Sequence, residues 1–155
     1  MEYTERKDIP YFTDCAALVE DAGCLLLELQ VVPQHGNVHV SAVISFSDAS
    51  KDISVADCSK VHHALAPKLL SLLGIDEDHL SMEVSSPGLE RKLKDAYEFS
   101  LFTGAAVKVW DKTEGDWRSG VIESSDSKQV TLKAEDGGTF SVAFENIAKA
   151  KLLNT

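Results

Sequence analysis

The sequence predicts an α+β protein in which an N-terminal α/β domain is followed by a small β-barrel. In the first 90 residues, stretches with helical spacing of apolar residues alternate with stretches that have a period of two. After about residue 104, only short runs of period two remain, separated by turns rich in Gly, Ser and Asp. We therefore expect domains over residues 1–90 and 105–155, joined by a connector over residues 91–104.

The first domain is expected to begin with an amphipathic helix and a hairpin. Apolar residues recur at helical spacing over about residues 8–22, with Pro10 near the start and Gly23 as the stop signal. Two strands follow at residues 24–32 and 38–46, and the segment between them is rich in turn-forming residues. We expect these strands to pair as an antiparallel hairpin.

A second helix and a third strand complete this domain. Ser54 and Asp57 have the spacing of a capping box at the start of the helix, and Gly74 ends it. Pro67 lies inside the helix and removes one backbone hydrogen bond, which predicts a kink or a break. With a strand at residues 80–84, the order α-β-β-α-β predicts two helices on one face of a small sheet, of the KH-like or ferredoxin-like kind.

The second half is predicted to be all β after a short helical connector around residues 94–102. The expected strands are about five or six residues long and lie at residues 105–110, 117–123, 130–134, 139–144 and 148–153. A small open sheet would leave vulnerable edges. Five such strands therefore favour closure into an SH3-like or Sm-like barrel.

The negative charge of the chain is concentrated in its first half. Residues 1–90 contain 5 Lys and Arg against 15 Asp and Glu, whereas residues 91–155 contain 10 of each kind. An acidic domain repels nucleic-acid phosphate and attracts basic proteins, although acidity also simply maintains solubility. No run of about 18 apolar residues indicates a membrane span, so we expect a cytoplasmic protein.

The residues that could carry covalent or metal chemistry are few. Ser85 and Ser86 lack a recognisable base, and turn capping is the preferred interpretation of their hydroxyls. Cys58 and His62 have i, i+4 spacing, but two ligands are too few for a metal site. The three cysteines form no CxxC pair and are expected to be buried free thiols. We therefore expect no catalysis, no metal and no cofactor.

The best binding candidate is the turn that follows the third strand. Pro87 and Gly88 predict a sharp reversal of the chain, and the densest positive cluster comes directly afterwards. A fixed turn would present these cations together to phosphates or carboxylates, whereas the alternative is a solvated connector. The residues predicted to bind a partner here are Ser85, Ser86, Pro87, Gly88, Leu89, Arg91, Lys92 and Lys94.

The barrel contains a second set of candidates. Arg118 is interpreted as a rim contact, while Trp110 and Trp117 are interpreted as packing residues of the barrel. Lys149 and Lys151 alternate with apolar residues and therefore share one face of the last strand. They either extend a contact surface or keep a sheet edge soluble.

The segment Val-Ser-Ser-Pro-Gly-Leu-Glu-Arg at residues 84–91 resembles the signature of the RimP ribosome maturation factors. Residues 53–58, 99–104 and 145–150 resemble further segments of that family in the same order. The resemblance implies a non-enzymatic factor that assists late assembly of the bacterial small ribosomal subunit. It also implies contacts with rRNA and with the ribosomal protein at the decoding centre. Lys92 stands where the family commonly has proline, which predicts a looser joint.

Other functions remain open on the residues alone. A free-standing Sm-like module would bind single-stranded RNA and oligomerise through its sheet edges. A scaffold would bind an unrelated basic protein through the acidic half, and a hydrolase would use Ser85 or Ser86. The preferred hypothesis is a monomeric assembly factor that binds the immature small subunit and no membrane.

Overall fold

The computed structural model describes residues 1–48, 51–87 and 92–153. These residues form two compact units. The N-terminal unit contains residues 6–47 and 51–87, and the C-terminal unit contains Met1–Glu5, Asp48 and residues 92–153. Helices and two sheets are both present, so the α+β class is confirmed. The boundaries proposed from the sequence stay predictions.

The N-terminal unit contains two helices and a three-stranded sheet. In chain order its elements are α1 (Phe12–Asp21), β1 (Leu25–Gln34), β2 (Asn37–Ser45), α2 (Val55–Leu73) and β3 (Leu80–Ser85). Short 3-10 turns precede α1 at Arg6–Asp8 and β3 at Glu77–His79. The central strand β2 pairs antiparallel with β1 and parallel with β3.

Local backbone geometry explains why the first elements differ in length from the prediction. Helix α1 starts later than expected because Tyr11, just after Pro10, has a left-handed conformation with φ of 65°. The hairpin turn is shorter than expected, because only His35 and Gly36 have positive φ, at 48° and 85°. Such a two-residue turn matches the twist of paired strands, so β1 and β2 extend to its edges.

The capping box of α2 is confirmed. The Ser54 side chain accepts a hydrogen bond from the Asp57 backbone N–H, and the Asp57 carboxylate accepts one from the Ser54 N–H at 2.9 Å. Gly74 ends the helix in a left-handed conformation with φ of 68°. The predicted break at Pro67 is wrong, since α2 continues past it. The buried side chains of Leu65 and Leu69 on either side anchor the helix to the core.

The core of the N-terminal unit joins both helices to one face of the sheet. Its fully buried members include Cys15 and Val19 of α1, Val61 of α2, and Val40 and Ile44 of β2. Burial raises the pKa of the Cys15 thiol to about 11, so this cysteine is a thiol at neutral pH. All three cysteines are free thiols, but the third, in α2, is only partly buried. For that residue the expectation of burial is wrong.

The C-terminal unit is built on a six-stranded antiparallel sheet. Its elements are β4 (Lys92–Leu93), α3 (Glu98–Leu101), β5 (Ala106–Asp111), β6 (Asp116–Ser125), β7 (Gln129–Lys133), β8 (Thr139–Ala143) and β9 (Ile147–Leu152). The strand order is β4-β9-β5-β6-β7-β8. All five predicted strands are present, and β4 is an additional short strand next to the connector helix. Closure of this sheet into a barrel stays a prediction.

The first residues of the chain belong to the C-terminal unit. The Met1 amino group donates hydrogen bonds to the carbonyl oxygens of Phe144 and Ile147, both at 2.8 Å. The ring of Tyr3 stacks on that of Phe144 at a centroid distance of 6.0 Å. Phe144 in turn stacks on Phe99, a buried residue of α3. These contacts tie the start of the chain to the aromatic core of this unit.

Candidate nucleic-acid interface

The two faces of strand β5 have different chemistry. Val107, Val109 and Asp111 are buried, whereas Lys108 and Trp110 alternate with them and are partly exposed. Successive side chains of a strand point to opposite faces of the sheet. One face of β5 therefore belongs to the core of the C-terminal unit. The other carries a cation and an aromatic ring, and we call it the outer face.

The strand register extends this outer face over four strands. Lys151 of β9 pairs with Lys92 on one side and with Lys108 on the other, and Lys108 pairs with Ser119 of β6. In the next row, Trp110 pairs with Lys149 and with Trp117. Residues directly opposite each other in a sheet project to the same face. The lysine–tryptophan face is formed by Lys92, Lys108, Lys149, Lys151, Trp110 and Trp117.

The two tryptophan rings are held edge to face beside lysine ammonium groups. The centroids of Trp110 and Trp117 are 5.6 Å apart, with an interplanar angle of 85°. The Nζ atom of Lys108 lies 4.6 Å from the centroid of the Trp117 ring, and that of Lys149 lies 5.3 Å from it. These are cation–π distances. The rings are thus oriented by their neighbours, and both remain partly exposed.

The interpretation of the two tryptophans as packing residues of the core is wrong. Neither residue is buried, and each lies one position away from a residue on the core side of its strand. The position of each residue within the alternation of its strand decides the face. For β5, the buried positions are the odd-numbered ones, which assigns Trp110 to the outer face.

The charges in the lysine row favour an anionic partner. Lys92, Lys151 and Lys108 occupy directly opposite positions on three neighbouring strands. Like charges at such positions destabilise a sheet. A polyanion that neutralises them gains Coulomb energy and releases its own counterions. The directly opposed pair Lys108 and Lys151 is therefore better suited to binding a phosphate backbone than to stabilising the fold.

Arg118 lies on the opposite face of the sheet from this lysine row. It pairs with Val109 in the strand register, its Nη1 atom is 3.2 Å from Oδ2 of Asp111, and its guanidinium lies 3.9 Å from the Phe140 ring centroid. Burial acts to raise the pKa of Asp111. Hydrogen bonds from the Thr113 backbone and from Arg118 outweigh burial and hold that pKa below its usual range. Arg118 thus stabilises this end of the sheet.

The residues predicted around the Pro-Gly turn are only partly described. Ser85 is the last residue of β3, where it pairs with Val43. Ser86 is exposed, and Pro87 is partly buried. The predicted site residues Gly88, Leu89 and Arg91 lie outside the described residues.

The other two members of this basic cluster belong to the C-terminal unit. Lys92 lies in β4 at the end of the lysine row. Lys94 is exposed, and its backbone N–H donates to the buried carboxylate of Glu98 at 2.8 Å. The structure therefore brings Lys92 together with Lys149 and Lys151, while Lys94 is fixed through its backbone at the start of the connector.

Within residues 1–48, 51–87 and 92–153, no three His, Cys, Asp or Glu side chains are grouped so that they could hold a metal ion. None of the helices described is both long enough and apolar enough to span a bilayer.

Comparison with known protein families identifies the N-terminal half. Residues 14–90, about half of the chain, match the model of the RimP N-terminal domain. The chain belongs to the RimP family. RimP proteins are ribosome maturation factors, so the resemblance found in the sequence is confirmed at the level of the family. The matched region contains all the helices and strands of the N-terminal unit except the first two residues of α1.

In this RimP-family chain, sequence analysis missed three residues of the lysine–tryptophan face, namely Lys108, Trp110 and Trp117. The signal was present, because Lys108 and Trp110 are two positions apart in a strand that was predicted nearly correctly. Which residues of the neighbouring strands lie on the same face as Lys108 and Trp110 depends on the strand register. The register was not predicted.

Proposed function

We propose that this chain assists assembly of the small ribosomal subunit without catalysis, and that it binds rRNA through the lysine–tryptophan face. The observation that supports the proposal best is the presence of two adjacent rows on one face, one rich in lysine and one with paired tryptophans. Lysines that bind phosphate, next to aromatic rings that accept bases, are the usual elements of a surface for RNA.

The mechanism requires only differential binding. A factor that binds one conformation of immature rRNA more tightly than another shifts the population toward the favoured one. A preference of about 1.4 kcal/mol shifts the ratio tenfold. The factor leaves when the favoured conformation is held by the mature subunit itself, and no cofactor is needed.

The N-terminal unit is proposed to bind a basic protein, specifically the ribosomal protein at the decoding centre. Its sheet carries Glu28 and Glu83 on the face that is opposite to the core residues, together with polar neighbours such as Gln30 and Ser41. The acidic excess of the first half of the sequence supports the same partner. The whole factor is proposed to act as a monomer in the bacterial cytoplasm.

The test is co-sedimentation of the full chain with immature and mature small subunits, large subunits and whole ribosomes, at low and at moderate salt. The face variant replaces Lys108, Lys149 and Lys151 with Gln. Its matched control replaces Lys60, Lys68 and Lys128, three exposed lysines outside the face, with Gln. We expect the wild type and the control to bind the small subunit selectively, and the face variant to bind it more weakly.

A second variant tests the Pro-Gly turn. In it, Arg91 and Lys94 are replaced with Ala, and Lys92 is kept because it also belongs to the lysine–tryptophan face. If this variant loses binding while the face variant keeps it, the rRNA contact belongs to the turn and not to the lysine–tryptophan face. Absence of selective binding by the wild type would contradict the assembly role, and a ring on size-exclusion chromatography would favour an Sm-like module.

A further inference from the structure

An apolar groove lies on the same outer face as the lysine–tryptophan face. It has a volume of about 710 Å³, and its walls include Ala106, Val121 and Leu153, with Ser119 at one end. Two charged residues, Lys133 and Glu135, also line it. Ala106 pairs with Val121 in the row next to the one that joins Lys108 to Ser119. The groove is therefore continuous with the lysine row, and Ser119 belongs to both.

The groove presents apolar surface to solvent. Val121 is 40% exposed and is one of the few large hydrophobic residues of the described chain with so much exposure. A volume of this size lies within the range of sites that bind small organic groups. A nucleobase has apolar faces and a polar edge, so it fits walls of this kind with a hydroxyl at one end.

The spacing along β6 connects the groove with the aromatic pair. Trp117, Ser119 and Val121 alternate on the outer face, so about 14 Å separates the first from the last at about 3.4 Å per residue. The lysine row crosses the sheet between them. An extended strand of RNA that crosses this face thus meets an aromatic pair, then a row of cations, then an apolar groove.

We propose that the ligand of this face is single-stranded RNA, with one unstacked base in the groove and its phosphates along the lysine row. This inference rests on the proposed function and specifies the RNA that is bound. A double helix keeps its bases stacked inside and exposes mainly phosphates and hydroxyls, so it can use the lysines but not the groove. Lys133 in the groove and Lys108 and Lys151 in the adjacent row outnumber Glu135, the one acidic residue among the lining residues described, so the net local charge disfavours a basic peptide as the occupant.

The two tryptophans allow the inference to be tested without a label on the protein. They are the only tryptophans of the chain, and both belong to the lysine–tryptophan face. A base that approaches them changes the intrinsic fluorescence of the full-length protein. The probes are a fluorescein-labelled uridine dodecamer, read by anisotropy, and an RNA duplex of the same length, with unlabelled copies for the tryptophan signal.

The groove variant is Ala106→Phe, which fills the space between Val121 and Leu153. A second variant, Val121→Ser, removes an apolar wall at an exposed position, in case the first does not fold. The matched control is Thr139→Phe at the exposed start of β8, on the same row of the sheet but outside the groove. These variants change no charge, so they leave the salt dependence of binding unaltered.

We expect the wild type to bind the dodecamer more tightly than the duplex, with a change in tryptophan fluorescence. Ala106→Phe and Val121→Ser should weaken dodecamer binding about tenfold, which corresponds to about 1.4 kcal/mol of binding free energy, while Thr139→Phe leaves it unchanged. Replacement of Lys108, Lys149 and Lys151 with Gln should instead reduce the slope of log K against log salt by about 2.

Two results would overturn the inference. The first is duplex binding that is as tight as dodecamer binding. The second is a dodecamer affinity that both groove variants leave unchanged. If those variants leave dodecamer binding unchanged but weaken co-sedimentation with small subunits, the groove contacts the subunit by some means other than an unstacked base, and the assembly role stands. If the wild type binds neither the dodecamer nor small subunits, the proposed function fails as well.

Discussion

The two sheets of this chain follow the same alternation of side chains but carry opposite charges on the faces that are not part of their cores. In the N-terminal sheet, Gln30, Ser41 and Glu83 form a row across the three strands. In the C-terminal sheet, the corresponding row across four strands is formed by Lys92, Lys151, Lys108 and Ser119. The core faces of both sheets are mainly apolar, with the Asp111–Arg118 ion pair as a charged exception in the C-terminal sheet. The difference supports the proposal that each unit selects its partner through the second face of its sheet.

The strongest test of this comparison is whether each unit depends on its own core. Leu65→Ala removes a fully buried side chain of α2, and Phe99→Ala removes one of α3. We expect losses of about 2–5 and about 3–5 kcal/mol in the free energy of unfolding, because each substitution leaves a cavity. Urea denaturation followed by far-UV circular dichroism reports on the first variant, and tryptophan fluorescence reports on the second. A wild-type midpoint for either would contradict the assignment of that core.

A smaller effect is expected at the close approach of β6 and β7 in the C-terminal sheet. A Cβ atom at Gly120 would lie 2.9 Å from the backbone oxygen of Lys133, so Gly120→Ala forces the strands apart. We expect a loss of about 1–3 kcal/mol. The control is Gly138→Ala, where the nearest atom is the side chain of Asp136, which can move. Equal stability of the two variants by tryptophan fluorescence would argue against the close packing of these strands.

In the N-terminal unit, the cap of α2 offers a test of local structure without a change in the core. Ser54→Ala removes the hydroxyl that accepts the Asp57 N–H. We expect a loss of about 1 kcal/mol, which is typical of an N-cap. Ser71→Ala, an exposed position inside the same helix, should be neutral or slightly stabilising because alanine favours helix. The prediction fails if urea midpoints from circular dichroism rank the two variants in the reverse order.

The smallest effect is confined to acid pH and concerns the core side of the C-terminal sheet. The pKa of Asp111 is lower in the folded state than in the unfolded chain, where it is about 3.9. The ionised carboxylate therefore stabilises the fold at pH values above the unfolded-state pKa. This contribution is lost as the pH falls through the lower pKa of the folded state. Asp111→Asn should be less stable than the wild type at about pH 7, and the difference should shrink at about pH 3. Glu123→Gln controls for net charge. If the stability difference between Asp111→Asn and the wild type does not vary with pH, the stabilising role of the ionised Asp111 carboxylate is contradicted.

Much of the fold could be predicted from local sequence signals. The cap at Ser54, the stop at Gly74 and the alternation in the strands are properties of neighbouring residues, and these elements were found within a few positions. The continuity of α2 through Pro67 could not be predicted in this way, since it depends on tertiary packing of the residues around it. The same holds for β4, a two-residue strand whose partner β9 is distant in the sequence.

The candidate site was less predictable because it is defined by pairing between distant strands. Lys149 and Lys151 were selected from the alternation of one strand. Their alignment with Trp110 and Lys108 depends on a register that a single sequence does not reveal. Arg118 was selected as a contact because it adjoins Trp117, yet neighbours in a strand face opposite ways. Its ion pair with the buried carboxylate on β5 depends on contacts across the sheet.

The most direct test of the central claim is the salt dependence of binding to immature small subunits. The wild type is compared with the variant in which Lys108, Lys149 and Lys151 are replaced with Gln, and with the control in which Lys60, Lys68 and Lys128 are replaced. We predict that the face variant reduces the slope of log K against log salt by about 2 to 3, since each phosphate contact contributes about 0.7 to 0.9. The control should keep the wild-type slope. An unchanged slope in the face variant would contradict the claim that this face binds the rRNA backbone.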